Sequence, residues 1–506
     1  MIRDRGEVPT TRYLDAVRFG APAAERDISE GLSDYFVESG AFTRVSEGRK
    51  TVLLGNRGSG KSAIFKVLAE RERNSATVVT ELAPEDYSYE MLSSLMARED
   101  QGSWAKLGAY AVAWKYLIYV LVMKGLNERN LLKSSDGDAI RRYLRDHHAG
   151  EQKTPIAVLI SYLKRVEGVK IAKYEVAMKT RQLEHLYKLE EIQGLLPSLS
   201  KLCARHKVLV LVDELDRGWD ASEDARAFVA GLFQACATIN GLSQGLRVYM
   251  SLRQELYDSI PELYEDAQKY RDVIEVINWD EPSLNELVEK RIRHSVPSLA
   301  SGSPGEAWGA IFAETLDYRQ TKSFNYMIDR TLYRPREIIQ FCTQAVETAQ
   351  ERKGSTPIDY SMLSEAEVTY SDDRSKDIAA EYRFQYPGLL DVFEVFRGRS
   401  YLFSREDLEM LCLSMAVGET RTGSASGWVS DADPEKLIET LWQVGFLRAQ
   451  AVGGVKARRR SGSSYLGPHQ VANLNLRNIS RFQVHPMFRA SLGMKEPKGS
   501  TDSASE

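Results

Sequence analysis

The sequence predicts an α/β protein: a parallel sheet whose strand ends carry a phosphate-binding loop, with a helical insertion and further helical modules after it. Three features predict it. The first, 54-LGNRGSGKSAIF-65, is a glycine loop between a short apolar run and a helical repeat. The second, 207-KVLVLVDELDRGWD-220, holds a five-residue apolar strand, Val208 to Val212, that ends in acids. The third is a change of pattern beyond about residue 380, where three helices and two strand-like pieces follow one another.

Taken in chain order, 50-KTVLL-54 is β-branched and apolar, as a buried strand requires. Gly55, Gly60, Lys61 and Ser62 then fit G-x-x-x-x-G-K-[ST], in which backbone N–H groups converge on an anion that side chains at the glycines would obstruct. The expected cradle is Gly55, Asn56, Arg57, Gly58, Ser59, Gly60, Lys61, Ser62 and Ala63. Lys61 is expected to reach the β- and γ-phosphates, and the Ser62 hydroxyl to bind Mg²⁺. Downstream, 62-SAIFKVLAERER-73 places Ile64, Phe65, Val67 and Leu68 on one side of a helix whose N-terminus faces the phosphate. The run 76-ATVVTELAP-84 supplies a second strand.

Residues 90–200 read as a mostly helical insertion. Its stretch 107-LGAYAVAWKYLIYVLVM-123 carries Lys115 in its middle and falls short of the about 20 residues of a span, so it reads as a buried core helix. Within 173–205, Leu183, Leu186, Leu189 and Ile192 share one helical face.

Val208 to Val212 is apolar at every position, as in a strand buried on both faces of a parallel sheet. Ligands of open α/β sheets bind beyond the carboxyl ends of such strands, where Asp213 and Glu214 stand. Asp213 is the expected Mg²⁺ ligand, and Glu214 the general base that deprotonates an attacking water. By itself the segment also reads as an acidic loop capping the next helix through Asp216, Asp220 or Ser222. Beside the glycine loop, the hydrolytic reading is preferred, and it places the two segments on neighbouring strands. Further strands follow at 246-LRVYMSLRQELYD-258 and 272-DVIEVINW-279. The helix 280-DEPSLNELVEKRIRH-294 opens with acids and closes with bases, as the macrodipole favours. In 333-YRPREIIQFCTQAVETA-349, Pro335 starts a helix with Ile338, Ile339, Phe341 and Cys342 on its buried side.

GNRGSGKS and LVLVDELDR resemble the Walker A and Walker B elements of the ASCE division of P-loop NTPases, which holds AAA+ and STAND ATPases, because a glutamate directly follows the Walker B aspartate. Residues 35–68 with DELDRGW also resemble a family of bacterial P-loop ATPases of about this length. The resemblance implies a P-loop NTPase core with Mg-dependent ATPase activity, ATP and Mg²⁺ being the cofactors. It implies Ser251 or Arg253 at the sensor-1 position, the arginine reaching the γ-phosphate. The plainer account of Arg253 is a surface pair with Glu255. The string R-P-R-E-I-I is similar to the sensor-2 helix of origin-recognition-type lids, which makes Arg336 the matching arginine. Such relatives complete the site with an arginine from a neighbouring protomer. Self-assembly is therefore expected, with Arg217 and Arg271 as candidates for that arginine.

Three helices at 387–398, 404–418 and 433–447, then strands at 446–452 and 480–488, describe a winged-helix-like module. Its polar loop holds Lys456, Arg458, Arg459 and Arg460, a cationic tip able to contact DNA, although a protein–protein role is preferred for the module. The expected organisation is 1–89 as N-terminal segment and first part of the core with Walker A at 55–62, and 90–200 as the insertion. The second part of the core spans 201–282, with Walker B at 208–214. A helical lid at 283–375, the winged-helix-like domain at 380–493 and a disordered tail at 494–506 complete it. A net charge of −4 over 506 residues gives no global push toward nucleic acid or membrane. Four separated cysteines suggest neither a disulfide framework nor a zinc cage, and the opening MIRDRGEVPT lacks a signal-peptide run, so a cytoplasmic setting is expected.

The function expected is a self-assembling ATP-hydrolysing switch that controls a partner protein, nucleotide binding between core and lid, with anti-phage defence as one setting. The alternative is an ATP-gated DNA-binding protein of the initiator or transposition-helper type.

Overall fold

The computed structural model describes residues 11–83, 103–148, 192–217, 219–264, 270–354, 356–450, 465–471 and 474–496. The chain divides into two compact units: Glu38–Ile277, and Met1–Val37 with Asn278–Glu506.

The first unit is built on a five-stranded sheet of β1 (Val52–Leu54), β2 (Val78–Leu82), β3 (Val208–Val212), β4 (Leu246–Leu252) and β5 (Ile274–Val276), in the order β2-β3-β4-β1-β5. Every pairing is parallel, Leu53 lying opposite Ser251 and Val212 opposite Met250. The glycine loop and the tandem acids therefore do not end neighbouring strands, as the sequence suggests: β4 stands between them. Burial explains the order. β3 is buried at all five positions and β4 at six of seven, which suits interior strands, whereas β5 is short and leaves Val276 45% exposed at the edge.

Around the sheet lie α1 (Lys61–Asn74), α2 (Ser103–Glu128), α3 (Ser135–His148), α4 (Leu196–Arg205), α5 (Glu223–Asn240) and the short α6 (Gln254–Ser259). α1 buries Ile64, Phe65, Val67 and Leu68, the side its repeat predicts. α2 is long and apolar enough to cross a membrane, yet its window is 78% buried inside the protein. Its indole Trp114 donates to the Phe228 carbonyl of α5 at 3.0 Å and packs on the Phe228 ring at 4.7 Å. The helices approach this closely because Gly231 is bare: a Cβ there would sit 2.7 Å from the Tyr110 Cβ. The helix read as part of an insertion is thus the centre of this unit's core. Leu183, Leu186 and Leu189 lie outside the described residues; Ile192 is fully buried.

The second unit takes up residues 11–37, which the sequence reading groups with the sheet. Long-range polar contacts decide this. The Arg291 guanidinium is 6% exposed and reaches Asp27 at 2.9 Å, donates to the Phe19 carbonyl, and lies 4.6 Å from the Tyr35 ring centre. Tyr35 donates to the same Asp27 at 2.8 Å. Arg291 belongs to α7 (Glu281–Ser295), capped by Asp280 accepting from the Ser283 N–H. A two-stranded ribbon, β6 (Thr315–Leu316) and β7 (Thr321–Lys322), follows, then α8 (Pro335–Glu351), which buries Ile338, Ile339, Phe341 and Cys342 as expected.

After α9 (Tyr360–Glu381) come α10 (Leu389–Glu394), α11 (Arg405–Ala416) and α12 (Pro434–Gln443), the three helices read from the sequence. They pack with an antiparallel sheet of β8 (Leu402–Ser404), β9 (Leu447–Gln450), β10 (Tyr465–Leu466) and β11 (Arg481–Val484), in the order β10-β9-β11-β8. Two of these strands, β8 and β10, have only three and two residues, too few for an alternation to be read. α8 to α12 share one hydrophobic core, so the segments expected as lid and C-terminal module form a continuous body. Lys456, Arg458, Arg459 and Arg460 lie outside the described residues, as do 497–506 of the tail expected at 494–506. The first three residues of that tail are instead ordered, Met494 packing on the core and the Lys495 N–H donating to the Arg399 carbonyl at 2.9 Å.

Candidate nucleotide site

The glycine loop leaves β1 at Gly55, whose N–H donates to the Leu252 carbonyl of β4 at 3.3 Å. Gly58 (φ 79°) and Gly60 (φ 98°) adopt left-handed backbone that L side chains rarely accept, and Gly60 forms the bare N-terminus of α1. At Gly55 a Cβ would stand 2.5 Å from Ser59 Oγ, inside the loop. Glycine at these three positions keeps Cβ atoms off the loop backbone, the shape a phosphate cradle needs.

Lys61, the first residue of α1, folds back over the loop and donates to the carbonyls of Gly55 (2.8 Å) and Asn56 (3.1 Å). Burial holds its ammonium below the ordinary lysine range, outweighing the pull of Glu255, Asp213 and Asp216. Those same acids place the lysine and the ends of β3 and β4 in one electrostatic neighbourhood. Asn56, Arg57, Ser62 and Ala63 line the loop as half-buried residues, and Ser59 is buried.

At the end of β3, Asp213 Oδ1 accepts the Glu214 N–H at 2.9 Å and the hydroxyl of Ser251, a buried residue of β4. That bond fixes the carboxylate from the intervening strand. Glu214 has φ 56°, an uncommon value for a residue with a Cβ, and its Oε2 pairs with Arg217 Nη1 at 3.0 Å. Arg253 follows β4 and pairs with Asp216 and, at 3.5 Å, with Glu255. The plainer account of Arg253 named Glu255 alone; Asp216, from the turn after β3, is the closer partner. Nothing local in the sequence joins Asp216 to Arg253, since parallel strands bring them together.

The sequence candidates Lys61, Asp213, Glu214, Ser251 and Arg253 thus meet at the carboxyl edge of β1, β3 and β4. Arg217 touches Glu214 of its own chain. Arg271 is exposed just before β5. Arg336 belongs to the other unit, where its Nε donates to the Pro22 carbonyl at 3.2 Å.

Comparison with known proteins adds to this geometry. Residues 18–85, which include β1, the glycine loop and α1, match the ORC-CDC6-like family model. Residues 282–379 match the model of a FunZ-associated C-terminal helical domain. Over 499 residues the chain is 21% identical to the putative transposon gamma-delta 80.3 kDa protein of Escherichia coli (strain K12), covering 96% of this chain and 68% of that protein. Among solved structures it aligns with the Aeropyrum pernix ORC2 protein (ADPNP-ADP complexes) at 11% identity and a TM-score of 0.35, over 97% of this chain and 96% of that one. The α/β unit is a P-loop NTPase core, and the segment that builds its glycine loop is similar to the ORC-CDC6-like family.

Proposed function

We propose that this chain is an ATP-binding and ATP-hydrolysing switch of the AAA+ kind, which assembles with copies of itself and controls a partner. The observation that supports this most is the meeting of Lys61, Asp213, Glu214, Ser251 and Arg253 at one edge of one parallel sheet. In this reading the backbone N–H groups of 56–62 hold the phosphates, and Lys61 exchanges two loop carbonyls for phosphate oxygens. Ser62 and Asp213 are the residues that would hold Mg²⁺, whose charge offsets that of the triphosphate. Glu214 releases Arg217, orients a water for attack on the γ-phosphorus, and takes its proton. Arg253 leaves Asp216 for the γ-phosphate, so that its pairing reports hydrolysis. ATP over GTP, the sensor-2 role of Arg336 and the STAND and phage-defence settings rest on resemblance. The setting proposed is cytoplasmic.

The test is ATP turnover of the wild type against Glu214→Gln, with particle size measured with and without ATP. The reading expects Glu214→Gln to bind ATP, to lose turnover by about 10²-fold or more, and to stay trapped in a larger assembly. Unchanged turnover removes Glu214 from the mechanism.

The similarity to a protein named for a transposon favours a second reading, a nucleotide-gated DNA-binding helper. It expects Arg458, Arg459 and Arg460 changed to Ala to abolish salt-sensitive DNA binding while ATP turnover persists.

A further inference from the structure

The helix α11 exposes an apolar stripe that nothing in the nucleotide reading uses. Its inner face buries Leu408, Leu411, Cys412 and Met415. Its outer face carries Met410 (66% exposed) and Leu413 (44%), continued just past its end by Val417 (62%). Single exposed apolar side chains are ordinary, but these three follow i, i+3, i+7 spacing and form one ridge of about 10 Å. Glu406 precedes Met410 on that ridge, Glu409 flanks it, and Glu419 follows it.

The surroundings are strongly acidic. Between Ser404 and Gln443 eight acids stand against three basic residues, an excess greater than the net −4 of the whole chain. Two of those bases are already engaged: Arg405 pairs with Glu409 at 2.8 Å and Lys436 with Glu439 at 2.8 Å. Nearby, Arg477 reaches Glu435 at 3.1 Å. Phosphate backbones are repelled by such a surface, whereas a cationic peptide is drawn to it.

We propose that the α11 ridge docks an amphipathic helix of a partner protein, its apolar i, i+3, i+7 residues packing on Met410, Leu413 and Val417 and its Lys/Arg flanks facing Glu406 and Glu419. This is helix-against-helix packing with the register set by charge. It stands independently of ATP binding.

The probes are a short fluorescein-labelled helical peptide with leucine and lysine faces, its leucine and glutamate counterpart, and a labelled DNA duplex, titrated with the full chain. The lysine peptide should bind, the glutamate peptide about tenfold more weakly or worse. Met410→Gln with Leu413→Gln, and separately Glu406→Lys with Glu419→Lys, should each weaken the lysine peptide by about tenfold. Binding should also slow hydrogen exchange across 405–417. All four positions are exposed, so unchanged melting curves will confirm that the variants fold. Equal binding of both peptides, or a Gln pair that binds as the wild type does, overturns the proposal. So does DNA that displaces the peptide, which assigns the face to nucleic acid, or self-association abolished by the Gln pair, which assigns it to a second copy.

Discussion

The arginines beside the nucleotide loop are used differently from three buried arginines of the other unit. Beside the nucleotide loop, Arg217 keeps 53% of its side chain exposed while pairing with Glu214, and Arg253 pairs with Asp216 at 19% exposure. In the other unit Arg291, Arg334 and Arg448 are 7% exposed or less, and their partners are Asp27, Glu381 and Asp329. Exposed pairs contribute about 0–1 kcal/mol and exchange partners readily. A buried pair cannot lose one member without stranding the other, at about 3–5 kcal/mol. The first arrangement suits charges that change partners during a reaction, the second charges that hold segments together.

The contrast breaks first at Arg334. Burial disfavours its charge, but Glu381 at 2.8 Å and Glu337 outweigh that and raise its affinity for the proton. Arg334→Ala should lower the unfolding free energy by about 3–5 kcal/mol in urea titrations, and a loss below about 1 kcal/mol would erase the distinction.

Acid sharpens the contrast next. Burial, reinforced by Arg448, holds His469 down at about 3 and His485 well below the ordinary histidine range. The unfolded chain therefore binds these protons first as pH falls below about 6.5, and stability drops by roughly 1.4 kcal/mol per pH unit for each ring. The stability is present above that pH and lost toward the folded-state values. Urea midpoints at pH 7 and pH 5 should differ, and His469→Phe should flatten the difference.

The smallest effect is expected at Arg217. Arg217→Ala removes an exposed pair with Glu214, so melting should not move and ATP turnover should change less than about fivefold. A loss of turnover beyond about 10²-fold would instead give Arg217 a direct part in catalysis.

How much of this was legible in the sequence follows the range of each interaction. The glycine loop was readable because its demand is local: Gly58 and Gly60 meet a backbone requirement within the motif. The all-buried β3 showed itself by composition, and α8 by Pro335 and its apolar spacing. The sheet order was not readable, because a parallel neighbour is fixed by burial and crossover rather than by adjacency in the chain. The allegiance of residues 11–37 was hidden for the same reason: Asp27 and Arg291 are 264 positions apart. β8 and β10 were missed through sheer shortness.

The central claim is that Lys61 over the glycine loop makes a triphosphate site, and titration calorimetry with MgATP on the wild type and Lys61→Ala tests it most directly. The account predicts saturable binding that Lys61→Ala weakens by about 10²-fold or more. Because burial lowers the Lys61 proton affinity and phosphate restores it, binding should also take up a proton, and weaken, as pH rises toward the lysine's lowered range. Absence of heat with the wild type, or equal affinity in the variant, would contradict it.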